Sequence, residues 1–343
     1  MINLNKLVRK NVKDLIPYSC ARDEFRGNAA IFMDANENPY GSLNRYPDPY
    51  QMELKAAISA LRKIPTERIF LGNGSDEIID LCFRVFCNPG TDRALTFSPT
   101  YGMYQVSAAA NDITIIKVPL NSSFQIDLKD VMPWLSDESL KLIVVCSPNN
   151  PTGNCMNRIT LEKIIIGFNG IVLLDEAYID FADEPSFRDK TEEFPNLIVM
   201  QTFSKAFGLA SVRVGMAFTN PAIVTYFNKM KPPYNISMIN QKTVLQKLLK
   251  PDEYIEEVRK IRVGRLMLSE ELIKLPVIEK VYPSDANFLL VKVKDAGQLY
   301  NYLVGRGIII RNRDSVVSNC LRITVGTEEE NQELLRTLKS FKT

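Results

Sequence analysis

The sequence predicts an α/β fold: a large domain built on a mostly parallel mixed sheet flanked by helices, followed by a smaller α+β domain. Three observations lead to this prediction. The 343 residues leave room for more than one domain. Short β-branched apolar runs alternate with longer segments of helical periodicity. After about residue 255 the apolar runs become fewer and more widely separated.

The strands of the large domain are predicted from apolar runs that are almost continuous. Such runs are typical of parallel strands buried on both faces. They cover 93–97, 142–146, 171–175, 197–201 and 214–218. One helix is well delimited, because it begins at Ser75 with two acidic residues and stops at Asn-Pro-Gly.

The smaller domain is predicted from strands in NFLLVKV (287–293), GIIIR (307–311) and CLRITV (320–325). Its final helix should begin at Thr327, because Glu330 stands in capping-box spacing from it. We expect three regions: an N-terminal arm over 1–40 that contributes to the small domain and the active site, a large domain over 41–255, and a small domain over 256–343.

Composition excludes several functional classes. The 42 basic and 40 acidic side chains nearly balance, so no basic surface for nucleic acid or an anionic membrane is indicated. No apolar stretch is long enough to span a bilayer, and the six cysteines form no CxxC pair, as expected of a reduced, cytoplasmic protein. The absence of histidine removes Ser-His-Asp and Cys-His catalysis and histidine-containing metal sites. We expect no metal, and proton transfer by Lys, Asp, Glu, Tyr or Cys.

Polar residues follow three of the predicted strands where each strand ends. Asn150 lies in SPNNPTG after 142–146, Asp175 ends 171–175, and Lys205 lies in TFSKAFG after 197–201. Ligands of open parallel sheets bind at the carboxyl ends of the strands. The sequence therefore predicts a site at this edge of the sheet.

The chemistry of these residues points to one kind of ligand. A partly desolvated Lys205 can form a Schiff base with a carbonyl. Asp175, at the end of a buried strand, needs a cationic partner, and a protonated pyridine nitrogen is one. Tyr178 and Asn150 can hydrogen-bond a ring oxygen, and Arg213 suits a phosphate.

A phosphate site is also indicated by GNGSDE (72–77), a glycine-containing entry to a helix that presents free backbone N–H groups. Ser204 adds a hydroxyl. A ring, an aldehyde and a phosphate together describe pyridoxal phosphate.

Ten motifs in order now make the chain recognisable. It resembles the aspartate-aminotransferase-like, pyridoxal-phosphate-dependent superfamily of fold type I, and within it the histidinol-phosphate aminotransferase family. The resemblance extends over nearly the whole chain and is carried by LIPY (15–18), DANENPYG (34–41), RYPD (45–48), GNGSDE, SPTYGMY (98–104), SPNNPTG (147–153), DEAYIDF (175–181), TFSKAFGLASVRVG (202–215), GIIIR and LRITVG (321–326).

The resemblance implies a role for each matched residue. Lys205 would carry the Schiff base and act as acid and base, Asp175 would pair with the pyridine nitrogen, and Asn150 and Tyr178 would bind the ring hydroxyl oxygen. The cofactor phosphate would be bound by Ser204, Arg213, Gly74, Ser75 and Asp76. Tyr101 would stack on the ring, and Tyr46 would reach the cofactor phosphate of the neighbouring subunit. Because Tyr46 reaches the other subunit, a homodimer is implied.

The resemblance also implies the substrates. Arg322 and Arg311 would bind the substrate phosphate, with Tyr18 and Asn36 nearby. The implied reaction is a ping-pong transfer of an amino group between L-histidinol phosphate and 2-oxoglutarate, giving imidazole acetol phosphate and glutamate, in histidine biosynthesis.

Other readings remain open at this stage. An aminotransferase for aromatic or other amino acids, or a decarboxylase of a phosphorylated amino acid, would share the cofactor site. A regulatory protein on this fold would need a DNA-binding segment and would not need Lys205. A nucleotide-binding protein using GNGSDE would give Lys205 and Asp175 no role, and that motif lacks the Lys-Ser/Thr ending of a P-loop.

Overall fold

A computed structural model describes residues 4–20 and 30–341. Eleven strands are present in this part of the chain: β1 Ile69–Asn73, β2 Arg93–Ser98, β3 Thr114–Pro119, β4 Leu140–Cys146, β5 Ile171–Asp175, β6 Leu197–Thr202, β7 Val214–Phe218, β8 Ile278–Val281, β9 Phe288–Val293, β10 Arg311–Asn312 and β11 Cys320–Thr324. The α-helices are α1 Leu4–Leu7, α2 Lys10–Asp14, α3 Met52–Arg62, α4 Gly74–Phe86, α5 Met103–Ala110, α6 Leu128–Val131, α7 Arg158–Gly167, α8 Pro221–Met230, α9 Met238–Leu248, α10 Pro251–Leu272, α11 Ala296–Val304 and α12 Glu328–Lys339.

The large sheet has seven strands in the order β1-β7-β6-β5-β4-β2-β3. The five strands from β6 to β3 in that order are mutually parallel, whereas β7 runs antiparallel to β6 and β1 antiparallel to β7. The mostly parallel mixed sheet predicted from sequence is therefore confirmed. All five predicted strands of this domain form, within two residues of the predicted bounds.

Two strands of this sheet were not predicted. β3 is an edge strand whose residues are mostly exposed or half-buried, so it lacks a continuous apolar run. β1 is buried but ends in Gly72 and Asn73, which read as a turn. The edge position and the short apolar length explain why periodicity did not reveal them.

Successive residues of each central strand pack on opposite faces of the sheet. On β5, Ile171 and Leu173 belong to one apolar cluster, and Val172 and Leu174 belong to the other. Val8 and Val12, from the N-terminal region, pack in the cluster that contains Ile171. Both faces of the sheet are thus covered, and its polar residues are left to the strand ends.

The C-terminal part forms a four-stranded antiparallel sheet, in the order β10-β11-β9-β8, with an apolar cluster of its own. GIIIR was predicted as a strand, but only Arg311 of it is in β10. Ile308 and Ile310 pack against the cluster, so their apolar pattern reflects burial and not strand pairing. α10 crosses residues 255 and 256, and the domain bounds stay a prediction.

Two helix starts were predicted well. α4 begins at Gly74, one residue before the predicted start. At α12 the capping box is present, since the Thr327 side chain accepts a hydrogen bond from the Glu330 backbone N–H and the Glu330 carboxylate accepts one from the Thr327 backbone N–H. In the described part of the chain, no helix combines the length and apolar character needed to cross a membrane.

Candidate active site

The predicted site forms where three neighbouring parallel strands end. In the sheet register Cys146 of β4 pairs with Asp175 of β5, which pairs with Met200 of β6. The segments that follow these strands therefore meet at one edge, as expected. They enclose a pocket of about 390 Å³. It brings together eleven of the predicted side chains: Ser75, Asp76, Tyr101, Asn150, Asp175, Tyr178, Ser204, Lys205, Arg213, Arg311 and Arg322.

Asp175 is a carboxylate in a desolvated position. Its side chain is buried, and burial raises the pKa of its carboxyl to about 6, although a hydrogen bond from Tyr104 opposes the rise. Tyr104 Oη donates to Asp175 Oδ2 at 2.6 Å, and the Ala177 backbone N–H donates to Oδ1 at 3.0 Å. No ion pair of Asp175 is found among the described residues. A cationic ligand group would supply the missing countercharge.

Lys205 follows β6 in a tight turn and lies at the pocket surface. Desolvation by the surrounding protein lowers the pKa of its ammonium group, and the Arg322 guanidinium lowers it further, while Asp175 opposes both. Its Nζ lies 5.7 Å from the centre of the Tyr178 ring. A lysine whose pKa is lowered in this way is a better nucleophile and base at neutral pH.

The N-terminus of α4 forms one wall of the pocket and is held by Arg213. The Gly74 backbone N–H donates to the Arg213 carbonyl at 2.9 Å, and Arg213 Nη2 lies 3.3 Å from Asp76 Oδ2. Gly74 has φ +73°, and a Cβ on it would lie 2.5 Å from Arg213 Nη2. A side chain on Gly215 would meet the Gly74 backbone at 2.6 Å. Glycine at both positions therefore permits the close approach of strand, helix start and guanidinium.

Two tyrosines line the pocket together with Asp175. The Tyr101 ring packs edge-on against the Tyr104 ring at 5.6 Å, and its hydroxyl lies 3.5 Å from Asp76 Oδ1. Burial and the Asp76 charge raise the pKa of Tyr101 to about 12. Tyr178 is buried with its ring edge-on to Phe288 at 5.2 Å, and burial raises the pKa of its hydroxyl. Both hydroxyls are therefore protonated donors at neutral pH.

The small domain supplies Arg311 and Arg322 from β10 and β11. Arg322 Nη1 donates to Asn150 Oδ1 at 2.5 Å, which joins the two domains inside the pocket. With its oxygen engaged, Asn150 offers its amide nitrogen to a ligand. Arg322 Nε is buried without a hydrogen-bond partner, so it is placed to bind an acceptor from a ligand.

Three predicted site residues lie elsewhere in this chain. Asn36 and Tyr46 line a second cavity with the start of α9, where the Tyr46 ring stacks on Tyr234 at 4.4 Å. Tyr18 lines a third cavity beside Lys231. All three predicted residues are exposed, and none of them lines the Lys205 pocket of its own chain.

Sequence reasoning missed two side chains of the site. Tyr104 has no local sign of its role in SPTYGMY, because its partner Asp175 is 71 positions away. Arg313 lies in a segment that reads as a loop, yet it lines the pocket. Its spacing from Arg311 could have indicated that it lines the pocket, because residues two apart on an extended chain share a face. Among the residues that the structure describes, no group of His, Cys, Asp and Glu side chains could hold a metal ion.

Comparison with known proteins identifies the family. The model of the family described as aminotransferase class I and II matches residues 28–338. The chain belongs to this family. The aminotransferase is 49% identical to a histidinol-phosphate aminotransferase of Cytophaga hutchinsonii, with 99% of each chain covered. It is 50% identical to one of Bacteroides fragilis, covering 99% of this chain and 100% of that one.

A solved structure agrees with these relatives. The histidinol-phosphate aminotransferase of Clostridium acetobutylicum matches with a TM-score of 0.80 at 25% identity, covering 87% of this chain and 90% of that one. The fold and the family predicted from the ten motifs are therefore confirmed. The resemblance extends through both domains, so it includes the pocket and the two strands that carry Arg311 and Arg322.

Proposed function

We propose that this chain is a pyridoxal-phosphate-dependent enzyme that transfers an amino group between L-histidinol phosphate and 2-oxoglutarate, as a cytoplasmic step of histidine biosynthesis. The carrying observation is one pocket that unites Lys205 and Asp175 with Arg311 and Arg322, for which no acidic ion-pair partner is found among the described residues. Identity of about 50% over the full length to histidinol-phosphate aminotransferases supports the same substrates.

The residues present fit pyridoxal phosphate. Asp175 is a buried carboxylate whose pKa is raised by desolvation, and a protonated pyridine nitrogen would provide a countercharge in contact with it. Gly74 and Gly215 leave room at the α4 N-terminus, where free N–H groups and Arg213 suit a phosphate. Bound there, pyridoxal phosphate supplies an electron-withdrawing ring that stabilises negative charge on the substrate carbon next to the transferred nitrogen.

The side chains around the ring position then have separate tasks. Asp175 holds a proton at the ring nitrogen, and Tyr104 fixes its carboxylate through the hydrogen bond to Oδ2. Tyr178 Oη and the amide nitrogen of Asn150 would donate to the ring oxygen, and Tyr101 would pack on the ring.

The phosphate end is held by charge and by backbone donors. Arg213, the Ser204 hydroxyl and the N–H groups of Ser75 and Asp76 bind the phosphate oxygens. The ion pair between Arg213 and Asp76 orients the guanidinium before a ligand binds. These groups would hold the cofactor by its phosphate, independently of Lys205.

Proton transfer is assigned to Lys205 Nζ. With its pKa lowered by burial and by Arg322, the amine is uncharged more often at neutral pH and accepts a proton from the substrate carbon. With pyridoxal phosphate bound, the same Nζ would hold this proton and return it, so no second acid is needed. Lys205 is suited to this task because the turn after β6 places it in the lining of the pocket.

The complete site requires a second copy of the chain. Tyr46 is half exposed on its own subunit and outside the Lys205 pocket. In the proposed homodimer it reaches the cofactor phosphate of the neighbour. Tyr18 and Asn36 complete the substrate end.

The test is a pair of half-reactions followed by absorbance. Cofactor-loaded protein should lose its visible absorption band on addition of histidinol phosphate, and 2-oxoglutarate should restore the band. Phenylalanine, tyrosine and O-phosphothreonine serve as competing substrates. A clear preference for a carboxylate-bearing amino acid, or release of carbon dioxide, would contradict the proposal.

Two lysine variants control this experiment. Lys205→Ala should abolish the band that reports the covalent link and reduce turnover by several orders of magnitude. Lys339→Ala, an exposed lysine at the end of α12, should leave both unchanged. Equal spectra for Lys205→Ala and wild type would refute the assignment of Lys205.

A further inference from the structure

The substrate end of the pocket contains three arginines, one more than the family motifs indicate. Arg311 and Arg322 are directly opposite in the antiparallel pairing of β10 and β11. The Arg313 backbone N–H donates to the Cys320 carbonyl at 2.9 Å, which continues the pairing beyond β10. Arg311 and Arg313 therefore project from the same face of an extended segment, towards the face that carries Arg322.

The facing arginines repel one another, and a bound anion would relieve that repulsion. Like charges directly opposite on paired strands destabilise a sheet. Among the described residues no acidic side chain forms an ion pair with any of the three arginines, and the two acids that line the pocket are engaged elsewhere. Asp76 pairs with Arg213, and Asp175 accepts from Tyr104. Uncompensated charge of this kind indicates a ligand site.

Arg313 also has an unsatisfied donor. Its Nε is buried without a hydrogen-bond partner, as is Arg322 Nε. A buried N–H without an acceptor is unfavourable, so both groups are placed to donate to a ligand. Arg322 is already held at Nη1 by Asn150 and rests against the Phe288 ring at 5.1 Å, whereas the described residues provide no such contact for the Arg313 side chain.

We infer that Arg313 is a specificity-determining residue that makes this end of the pocket selective for a phosphate monoester over a carboxylate. A carboxylate presents one charge and two oxygens, which one bidentate arginine satisfies. A phosphate monoester carries about 1.5 to 2 negative charges and three acceptor oxygens, which match three guanidinium groups. The identity of the substrate rests on the proposed function, whereas its class, a phosphate monoester, rests on the geometry alone.

The binding test uses cofactor-loaded protein and glycerol 3-phosphate, a phosphate monoester without an amine. Its dissociation constant, measured by calorimetry, should rise roughly 10- to 100-fold in Arg313→Gln, the factor expected for a lost charge-assisted hydrogen bond. Arg313→Lys keeps the charge without the planar guanidinium group, so its dissociation constant should lie between those of wild type and Arg313→Gln. The control is Arg306→Gln, which removes an exposed charge that stacks on Tyr302 outside the pocket, and it should match wild type.

A kinetic test separates specificity from structure. In Arg313→Gln the kcat/KM for histidinol phosphate should fall at least about tenfold more than that for glutamate, mainly through KM. Equal losses for both substrates, no measurable binding of glycerol 3-phosphate by wild type, or a dissociation constant within twofold of wild type in Arg313→Gln would each overturn the inference. If wild type binds glycerol 3-phosphate through Arg313 but does not react with histidinol phosphate, the inference stands and the proposed substrate fails.

Discussion

Replacing Tyr104 with phenylalanine tests how this fold holds a buried carboxylate beside its cofactor site. Tyr104 is buried, and its hydroxyl donates to Asp175 Oδ2 at 2.6 Å. A hydrogen bond to a charged acceptor contributes about 1.5–3 kcal/mol, against about 1 kcal/mol for a neutral pair. The ionised form of Asp175 should therefore lose more from this substitution than the protonated form, and its pKa should rise further.

The sign of the pH effect follows from linkage. The folded pKa of Asp175 is about 6 against 3.8 for the free group, so the folded state binds this proton more tightly. Its contribution to stability is complete below the unfolded pKa and is lost as pH rises through about 6, a loss of about 3 kcal/mol in the cofactor-free protein. In Tyr104→Phe that loss should be larger and should extend to higher pH.

The assay is urea unfolding of cofactor-free wild type and Tyr104→Phe at pH 5 and pH 8. The free energy of unfolding should differ by about 1 kcal/mol at pH 5 and by about 1.5–3 kcal/mol at pH 8. Tyr302→Phe is the matched control, because the Tyr302 hydroxyl donates to the neutral Thr337 carbonyl at 3.3 Å. Its effect should be about 1 kcal/mol or less at both pH values. A difference for Tyr104→Phe that is the same at both pH values, or larger at pH 5, would refute this reasoning.

Three further predictions concern Gly74 at the start of α4, the pKa of Lys205 and the start of α12. Gly74→Ala should lower the free energy of unfolding by about 1–2 kcal/mol, because φ is +73°, and should also lower the affinity for pyridoxal phosphate. Gly102→Ala is the control and should be nearly neutral, because a Cβ there meets nothing within 4 Å. Urea unfolding and cofactor titration check both variants. Arg322→Gln removes a cation that lowers the pKa of Lys205. Cofactor-free protein should therefore form the Schiff base with pyridoxal phosphate roughly two- to fivefold more slowly at pH 7, and the pH midpoint of that rate should move upward. An unchanged midpoint would contradict this prediction. Thr327→Ala should cost about 1 kcal/mol of stability by removing the capping box of α12, without altering the cofactor spectrum.

The strands of the large sheet, and the polar residues at their ends, were predictable because their sequence signals are local. A buried parallel strand such as 171–175 is a continuous apolar run, and the polar residue at its end is adjacent in sequence. Parallel neighbours bring such ends together without further information, so Asp175 and Lys205 could be placed at one edge from the chain alone. The ten ordered motifs then supplied the family.

What could not be predicted depends on long-range contacts. Tyr104 reads as a packing residue because nothing near it in sequence shows that Asp175 will lie within hydrogen-bond reach. GIIIR has the pattern of a strand, but strand pairing depends on where β11 runs, and Arg311 is the one residue of this motif that belongs to β10. Tyr46 carries no local sign of the surface it meets, since its proposed ligand belongs to another copy of the chain.

The two sheets make separable contributions that are joined at one contact. The strand ends of the large sheet bring Asn150, Asp175 and Lys205 into one pocket, in the part that we propose holds the cofactor. The paired strands of the small sheet add Arg311 and Arg322, which we propose bind the anionic group of the substrate. Arg322 connects the two halves, because it donates to Asn150 beside the ring position and its guanidinium lowers the pKa of Lys205. An anion bound at Arg322 would partly neutralise that guanidinium and raise the proton affinity of Lys205, so substrate binding and the basicity of the lysine are coupled through one residue.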